Sequence, residues 1–478
     1  MNLKVVLKIV GRVITMEAIV MLIPTLVAFF YGESLEPFFI TILLMLFTGI
    51  ILASINATKE FFIREGFFTV GLIWLATGFF GALPFYYSGY FPSFMVCLFE
   101  SCSGFTTTGS SILTNIEALP KGILFWRSLT HWLGGMGVLV LATALIPTIG
   151  IRTKYLTQAE SPGPVFSKLV PKQAQTSKIL YAIYCFLTVA EAICLRIAGM
   201  PWYDSFIHAF GTAGTGGFSN MNASVGAYDS MAIDMIISVF ILLFSINFAM
   251  YFLLLTRRFK EIIKSDELRF FIFIVASATA IVCLNIRPLY ADWTETFRYA
   301  FFQVCSIIST TGFATTDWLY WPQICQMIFI MLMFCGACAG STGGGMKCSR
   351  ILVIFRTIRR EIHHIIHPRS VEVIKLDGKV VEEKTINSIL TFACCYVMII
   401  LAGALVVCLD GFGFNESFTA ALTCVSNIGP GLGVFGPAGN FATLSGFSKG
   451  FLSFCMIIGR LEIFPILVLL SPSAWHRA

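Results

Sequence analysis

The sequence predicts an all-α polytopic membrane protein in which an N-terminal two-helix hairpin precedes four repeats of span, half-helix, loop and span. The first observation behind this is composition: 57% of the 478 residues are hydrophobic, 12% are charged, and the mean hydropathy is +0.84. Soluble domains carry about a quarter charged residues. The second observation is a series of ten apolar stretches of about 20 residues, the length needed to cross a bilayer as a helix. Together these exclude a soluble globular protein.

The ten predicted spans lie at 13–31, 36–55, 67–87, 123–147, 178–199, 230–256, 268–287, 322–346, 385–409 and 447–470. Shorter apolar stretches, long enough only for half-helices, lie at 93–105, 203–214, 294–308 and 415–425. A half-helix followed by irregular backbone is unstable against lipid but is tolerated where protein surrounds it or water lines it. We therefore expect re-entrant loops around one pore, with the hairpin at 1–60 and repeats at 61–150, 151–264, 265–370 and 371–478.

Lysine and arginine indicate the orientation, because cytoplasmic loops are enriched in them. The segments 148–178, 257–264 and 347–369 are basic, whereas 200–229 contains neither residue type. We expect a multi-pass protein of the cytoplasmic (inner) membrane with both termini in the cytoplasm and the re-entrant loops opening outward. The run 13–31 is then a retained span rather than a signal peptide. Within the last repeat, Asp377-Gly378 between alternating apolar and polar residues predicts a cytoplasmic β-hairpin over 371–383.

Each half-helix leads into a short glycine-centred segment. The four segments read TTTGS at 106–110, TGGFS at 215–219, STTGF at 309–313 and SNIGP at 426–430. Glycine permits backbone dihedrals that other residues avoid, so that successive carbonyls could point inward and replace the hydration shell of a cation. Because the segments contain no carboxylate, a monovalent cation is favoured over Ca²⁺. The alternative is that these glycines are helix caps or packing positions.

Two features lie on the cytoplasmic side of these segments. Residues 336–346 include three consecutive glycines, each costing a helix about 1 kcal/mol relative to alanine, and we expect an irregular gate there rather than a simple kink. Arg460 lies midway along the last span, where an ionisable residue is a functional-site hypothesis by default. It would impose a barrier to cations, or it would pair with a carboxylate, for which Glu100 and Glu191 are candidates.

Other motifs have plainer interpretations. The fifteen cysteines lie mostly in apolar runs, where cysteine behaves as a small hydrophobe, and we expect no redox or metal role for the Cys335-x-x-Cys338 pair. His363, His364 and His367 have helical spacing that could bind a metal, but a solvated basic face is favoured.

Together these residues resemble the Trk/Ktr potassium transporter superfamily, most like the TrkH membrane subunits of its Trk branch, over essentially the whole chain. The resemblance rests on the Thr-Thr-Gly loops, the WLGGMG stretch at 132–137, the NIGPGL loop at 427–432, the GGGMK break at 343–347 and Arg460. It implies four M1–pore helix–M2 units around one pore. It also implies a homodimer seated on a cytoplasmic ring of nucleotide-binding regulatory subunits, for which the segments 347–369 and 371–383 offer docking surfaces.

The resemblance assigns residues as well. The K⁺ filter would comprise Thr107, Thr108, Gly109, Thr215, Gly216, Gly217, Thr310, Thr311, Gly312, Asn427, Ile428 and Gly429. The gating elements would be Gly336, Gly340, Gly343, Gly344, Gly345, Lys347 and Arg460. The loops depart from fourfold symmetry at Gly216, at Asn427-Ile428 and at Ser110, which stands where two other loops have phenylalanine. In the family, serine at the first filter glycine is linked to Na⁺ passage, so the four glycines favour K⁺.

The resulting hypothesis is K⁺ uptake through a gated, channel-like pore, with K⁺ as the transported ion, Na⁺ or Rb⁺ as possible further ions and no tightly bound cofactor. The lipid bilayer is the surrounding phase, and no nucleic-acid partner is expected. An Na⁺- or H⁺-coupled secondary transporter is the alternative, although the spans carry few acidic residues that could relay protons. A membrane-embedded enzyme is not supported, since the sequence offers no catalytic constellation inside the membrane.

Overall fold

A computed structural model describes residues 2–56, 63–137 and 173–472. The predicted all-α membrane class is confirmed, since these residues are almost entirely helical. The N-terminal part contains α1 (Leu3–Val20), α2 (Leu22–Phe30), α3 (Glu36–Ala53), α4 (Ile63–Tyr87), α5 (Phe94–Phe105) and α6 (Lys121–Gly135). From residue 173 onward the chain contains α7 (Gln173–Ile197), α8 (Trp202–Gly214), α9 (Met231–Ser245), α10 (Phe248–Leu255) and α11 (Phe259–Ile263).

The C-terminal half continues the same pattern. It contains α12 (Asp266–Ile286), α13 (Trp293–Ile308), α14 (Gln323–Cys335), α15 (Cys348–Ile366), β1 (Lys375–Leu376), β2 (Lys379–Val380), α16 (Glu383–Cys408), α17 (Phe414–Ser426), α18 (Gly446–Arg460) and α19 (Phe464–Leu470). Short 3₁₀ turns at Ser224–Tyr228, Arg287–Leu289, Trp318–Tyr320 and Gly433–Phe435 lie in the connections.

The predicted half-helices are present as α5, α8, α13 and α17, with ends within one or two residues of the predicted ones. The long spans agree less well. Within the described residues, six helices are long and apolar enough to cross a membrane, or seven if α9 and α10 count as one. The first span starts earlier than predicted, at Leu3, and runs to Phe30.

Several predicted spans are interrupted. The stretch 230–256 was expected to be one helix, but α9 and α10 meet at an angle of 90°. The stretch 447–470 is broken between α18 and α19, where Glu462 and Ile463 have φ of 56° and 68°. The helix of 322–346 ends at Cys335, where the glycine-rich segment begins. The stretch 123–147 is helical to Gly135, and its remainder lies largely outside the described residues.

The N-terminal hairpin is held by close approach of two helices at small residues. An alanine Cβ in place of Gly11 would lie 2.7 Å from the carbonyl oxygen of Gly49, and one at Gly49 would lie 2.5 Å from Oγ1 of Thr15. Small residues let membrane helices pack backbone to backbone where lipid gives no hydrophobic drive for association. Helix α1 also packs on α4, which fastens the hairpin to the first predicted repeat.

The half-helices are arranged in a closed cycle. Helix α6 packs against α8, α9 against α13, α14 against α17, and α18 against α5. In each case the helix that follows one glycine-centred loop contacts the half-helix of the next predicted repeat. Because the fourth contact returns to the first half-helix, the four half-helices surround a common centre.

The β-hairpin lies beside α15, as the sequence predicts, but its strands are two residues each. Lys375 pairs with Val380 and Leu376 with Lys379, and the turn residues Asp377 and Gly378 have φ of 49° and 76°, as a two-residue hairpin turn requires. The hairpin belongs to a small separate apolar cluster comprising Val353, Ile374, Leu376, Val381, Ile386 and Ile389. It thereby joins α15 to the start of α16.

The domain boundaries stay a prediction, and those near 60 and 150 fall outside the described residues. The same is true of Arg477 and of most of the basic segment 148–178. The start of α12, just after the basic segment 257–264, contacts both the basic segment 347–369 and the hairpin. Asp266 accepts a hydrogen bond from Arg356 at 3.0 Å, and the backbone N–H of Asp377 donates to the same carboxylate at 3.1 Å.

Candidate ion pathway

The four glycine-centred loops share one backbone conformation. The residue two positions before each glycine lies in the left-handed region, with φ of 55° at Thr107, 54° at Thr215, 64° at Thr310 and 56° at Asn427. The glycines themselves have φ of 79° at Gly109, 77° at Gly217, 80° at Gly312 and 106° at Gly429. Because non-glycine residues seldom adopt positive φ, the recurrence of this alternation despite different side chains indicates one architecture used four times.

One hydrogen bond recurs in each loop. The N–H of the residue between these two positions donates to the carbonyl five residues earlier, at 2.9 Å for Thr108, 2.8 Å for Gly216, 2.9 Å for Thr311 and 3.0 Å for Ile428. In a trans peptide the N–H and the preceding C=O point in opposite directions. The carbonyls of Thr107, Thr215, Thr310 and Asn427 therefore face away from the helix ends.

The glycines close a ring. An alanine Cβ at Gly109 would lie 2.0 Å from the carbonyl oxygen of Gly216, one at Gly217 would lie 2.1 Å from that of Thr311, and one at Gly312 would lie 2.0 Å from that of Ile428. At Gly429 the distance to the carbonyl oxygen of Thr108 is 3.0 Å. Each glycine thus faces the middle carbonyl of the next loop, and the fourth returns to the first.

The same four glycines line a cavity of about 170 Å³. Its remaining wall comes from the segments that follow the loops, and these are tied to one another. Gly226 donates its N–H to Ala314 at 3.1 Å, and Phe441 donates to Ser111 at 2.8 Å. The ring therefore opens into a vestibule on the side away from the half-helix ends.

The loop side chains mostly support the backbone. The hydroxyl of Thr108 bonds that of Thr106 at 2.8 Å, and the hydroxyl of Thr311 bonds that of Ser309 at 2.7 Å. At these two middle positions the threonine hydroxyls are therefore engaged within their own loops. Asn427, which stands where other loops have threonine, donates to Oγ1 of Thr108 at 2.9 Å and so links the fourth loop to the first.

The glycine-rich segment lies against the helix-end side of the ring. Residues 336–347 separate α14 from α15, and Gly336, Gly340, Gly345 and Lys347 have positive φ. The N–H of Gly344 donates to Oγ1 of Thr310 at 2.6 Å, and that of Gly345 donates to the carbonyl of Ser426 at 2.9 Å. An alanine Cβ at Gly343 would lie 2.7 Å from the carbonyl of Ser309. The segment thus contacts the third and fourth loops directly, at their entry from the half-helices.

The bend between α9 and α10 receives the other side of this segment. Cys338 donates its N–H to Ser245 at 3.1 Å, and Phe248 donates its N–H to Gly340 at 3.0 Å. The side chain of Asn247 caps α10 by accepting from Ala249 at 2.9 Å. Backbone groups freed by the bend are therefore satisfied by the glycine-rich segment, which is how a broken helix is tolerated in a membrane.

Arg460 connects the glycine-rich segment to the first predicted repeat. Its guanidinium donates to the carbonyls of Thr342 at 2.7 Å and of Gly134 and Gly135 at 2.6 Å each. The proposed pairing with Glu100 is wrong, because Glu100 accepts from Arg127 at 2.6 Å. Glu191 is not its partner either, because neither oxygen of that buried carboxylate accepts a hydrogen bond from Arg460.

The WLGGMG stretch owes its glycines to close packing. An alanine Cβ at Gly134 would lie 1.8 Å from the carbonyl oxygen of Phe105, and one at Gly135 would lie 2.6 Å from Cα of Gly214. Helix α6 therefore approaches the ends of α5 and α8 more closely than any side chain would allow. This contact also leaves both glycine carbonyls available to Arg460.

Lys347 and the cysteines complete the segment. The buried ammonium of Lys347 donates to the carbonyl of Gly343, across one turn of the segment. The sulfur atoms of Cys335 and Cys348 lie 3.5 Å apart, so the two ends of the segment meet. Among the described residues no group of three or more histidine, cysteine or acidic side chains could hold a metal.

Sequence reasoning missed three contributors to this region. Arg127 and His131 of α6 contact the second loop, and Glu462 pairs with Arg350 at the break before α19. The signal available for Arg127 and His131 was their polarity within an apolar stretch, one helical turn apart. Their partners, however, lie in other segments and cannot be read from local sequence.

Comparisons with known proteins agree over the full length. The profile of the TrkH family, described as cation transport proteins, matches residues 36–477. The chain is 38% identical to the Trk system potassium uptake protein TrkH of Salmonella typhimurium and 37% identical to that of Escherichia coli K12, with complete coverage of each chain. It superimposes with a TM-score of 0.89 on the crystal structure of the potassium transporter TrkH from Vibrio parahaemolyticus, at 34% identity and complete mutual coverage.

These relatives are membrane transporters, and the family is one of cation transport proteins rather than of enzymes. The apolar helices of the described residues fit the same description. The chain is a multi-pass membrane protein that belongs to the TrkH family of cation transport proteins.

Proposed function

We propose that the protein takes up K⁺ across the cytoplasmic membrane through a gated, channel-like pore. The observation that carries this proposal is the ring in which each of four glycines faces the middle carbonyl of the next loop. The relatives named Trk system potassium uptake protein support K⁺ as the ion. The loops at 107–109, 215–217, 310–312 and 427–429 would form the selectivity filter.

The filter would work by replacing water with backbone oxygens. A dehydrated cation would be coordinated by carbonyls from all four loops, which cost little to reorganise because the recurring hydrogen bonds already fix them. The half-helices add to this effect, since the C-terminal end of a helix carries partial negative charge. The absence of carboxylates from the four segments supports a monovalent ion.

The glycine-rich segment would be the gate. It contacts the third and fourth loops and the α9–α10 bend, and Arg460 ties it to α6. In this arrangement it would obstruct the path below the ring, and the positive charge of Arg460 would raise the barrier to cations there. Because most of these contacts are single hydrogen bonds to backbone, the segment could exchange them for water and move aside.

The remaining parts of the proposal concern orientation and partners. Both termini, α15 and the hairpin would lie in the cytoplasm, which the basic segments favour because cytoplasmic loops are enriched in lysine and arginine. The protein would form a homodimer and rest on a ring of nucleotide-binding regulatory subunits that docks against α15 and the hairpin. Several large apolar side chains of α15, including Phe355 and Ile365, are exposed and would suit such contacts.

Two experiments test the proposal. The gene should restore growth of an uptake-deficient bacterium on low K⁺. Purified protein in liposomes should take up ⁸⁶Rb⁺, and K⁺ should compete better than Na⁺. Membrane-expressed protein that neither restores growth nor moves ⁸⁶Rb⁺ would contradict the proposal. Flux that requires an imposed Na⁺ or H⁺ gradient would favour the secondary transporter instead.

A further inference from the structure

The second loop has a glycine, and so no side chain, at its middle position, where the other three loops have one. Thr108, Gly216, Thr311 and Ile428 occupy the same position, as their recurring hydrogen bonds show. Three of them carry a β-branched side chain that fills space behind the ring. At Gly216 the loop itself supplies nothing there.

His131 fills that space. An alanine Cβ at Gly216 would lie 2.5 Å from Cγ and Cδ2 of His131 and 2.6 Å from Nδ1. The imidazole ring of His131 therefore occupies the volume in which a β-branched side chain would sit. Its Nδ1 lies 2.7 Å from the carbonyl oxygen of Gly104, and because a carbonyl only accepts, Nδ1 carries the proton. This hydrogen bond fixes the ring to the half-helix of the first repeat.

Phe218 directly follows Gly217 in the second loop, and it contacts the face of α6 that carries His131 and Arg127. His131 stacks on its ring with centroids 4.0 Å apart and planes at 26°. The guanidinium carbon of Arg127, one helical turn earlier, lies 3.4 Å from the Phe218 ring centroid. Arg127 also donates to the carbonyl of Ser219 at 3.0 Å.

Arg127 extends this support to the first loop. Its Nε donates to Glu100 at 2.6 Å, and that carboxylate accepts from the hydroxyl of Ser111 at 2.9 Å and from the N–H of Ile112 at 3.1 Å. Arg127 and Glu100 are both almost fully buried. A buried, hydrogen-bonded pair of this kind holds geometry, because removing one partner leaves an uncompensated charge.

We infer that His131 and Arg127 are positioning residues for the filter, and that His131 stands in for the side chain missing at Gly216. The inference rests on the proposed function. The carbonyl of Gly216 faces Gly109 of the neighbouring first loop, so a shift of the second loop displaces an oxygen that would coordinate the ion. Such a displacement should change the discrimination between K⁺ and Na⁺ more than it changes the total flux.

The test uses full-length protein in liposomes. Discrimination is measured as the Na⁺ concentration that halves ⁸⁶Rb⁺ uptake divided by the K⁺ concentration that does so. His131→Ala should lower this ratio about fivefold, the scale of one hydrogen bond. Adding Gly216→Thr to that variant should recover much of the ratio by refilling the space, whereas Gly216→Thr alone should be disruptive. Trp132→Phe, at the next residue of α6, is the matched control and should keep the wild-type ratio.

The outcomes separate this inference from the proposed function. Wild-type protein that takes up no ⁸⁶Rb⁺ contradicts the proposed function. Wild-type protein that discriminates, together with His131→Ala that discriminates equally well, overturns the inference alone, as does a double variant worse than both single ones. If His131→Ala does not fold, His131→Phe is measured instead: it keeps the ring volume without the donor and should keep most of the ratio, and a fivefold loss there overturns the inference that His131 stands in for the missing side chain.

Discussion

Replacing Gly109 by alanine tests the filter most cleanly, because the chain supplies a matched control. The new Cβ would lie 2.0 Å from the carbonyl oxygen of Gly216. Since non-bonded carbon and oxygen atoms keep about 3 Å apart, the carbonyl must move by about 1 Å, twice the tolerance of about 0.5 Å typical of functional sites. Gly89 has a nearly identical φ of 76°, against 79°, but no atom within 4 Å of its added Cβ.

Both variants carry the same backbone cost of about 1–2 kcal/mol for a side chain at positive φ. Both should therefore melt at lower temperature in thermal unfolding in detergent, and Gly109→Ala should lose more because its clash adds to the backbone cost. Only Gly109→Ala should also lose K⁺/Na⁺ discrimination in the ⁸⁶Rb⁺ competition assay, and we expect a loss of at least tenfold because the displaced oxygen belongs to the ring. If Gly109→Ala discriminates like Gly89→Ala while both are folded, the assignment of the ring as the filter is refuted.

Three further predictions concern the gate and the hairpin. Arg460→Ala should raise ⁸⁶Rb⁺ flux about tenfold, because losing one charge-assisted hydrogen bond of about 1.5 kcal/mol shifts a closed–open equilibrium by that factor. Lower flux from folded protein would contradict a barrier role for Arg460. Gly344→Ala places a Cβ 2.3 Å from the carbonyl of Ser426. It should therefore push the glycine-rich segment off the ring and raise ⁸⁶Rb⁺ flux without changing the competition ratio. A changed ratio would show that the filter moved instead. Gly378→Ala, with φ of 76° and open space, should lower the melting temperature slightly and leave basal flux unchanged; altered flux would mean that the hairpin is coupled to the gate.

Local sequence was sufficient for the half-helices and their loops. Each half-helix is an apolar run too short to span a bilayer, and each is followed within a few residues by a glycine that adopts positive φ in the loop. The turn at Asp377-Gly378 was predictable for the same reason, since its residues tolerate the dihedrals that a two-residue hairpin needs. In these places the chemistry that determines the structure lies within a few adjacent residues.

The bends and the arginine partners could not be predicted in this way. Hydropathy treats 230–256 as one apolar run, yet Asn247 caps a second helix there, and the bend is stabilised by Gly340, which lies far along the chain. Arg460 likewise finds the carbonyl of Gly134, 326 residues away. Only the closed cycle of half-helices brings these groups together, so their partners follow from the fold and not from local pattern.

The central claim is that cations are coordinated where the four loops meet. Crystals of the full-length protein grown in RbCl, with data collected at the rubidium absorption edge, test it most directly. The account predicts anomalous peaks on the common axis of the ring, between the carbonyls of Thr108, Gly216, Thr311 and Ile428 and those of the residues before them. Ordered rubidium found only elsewhere in the molecule, with these loops well resolved and empty, would contradict it.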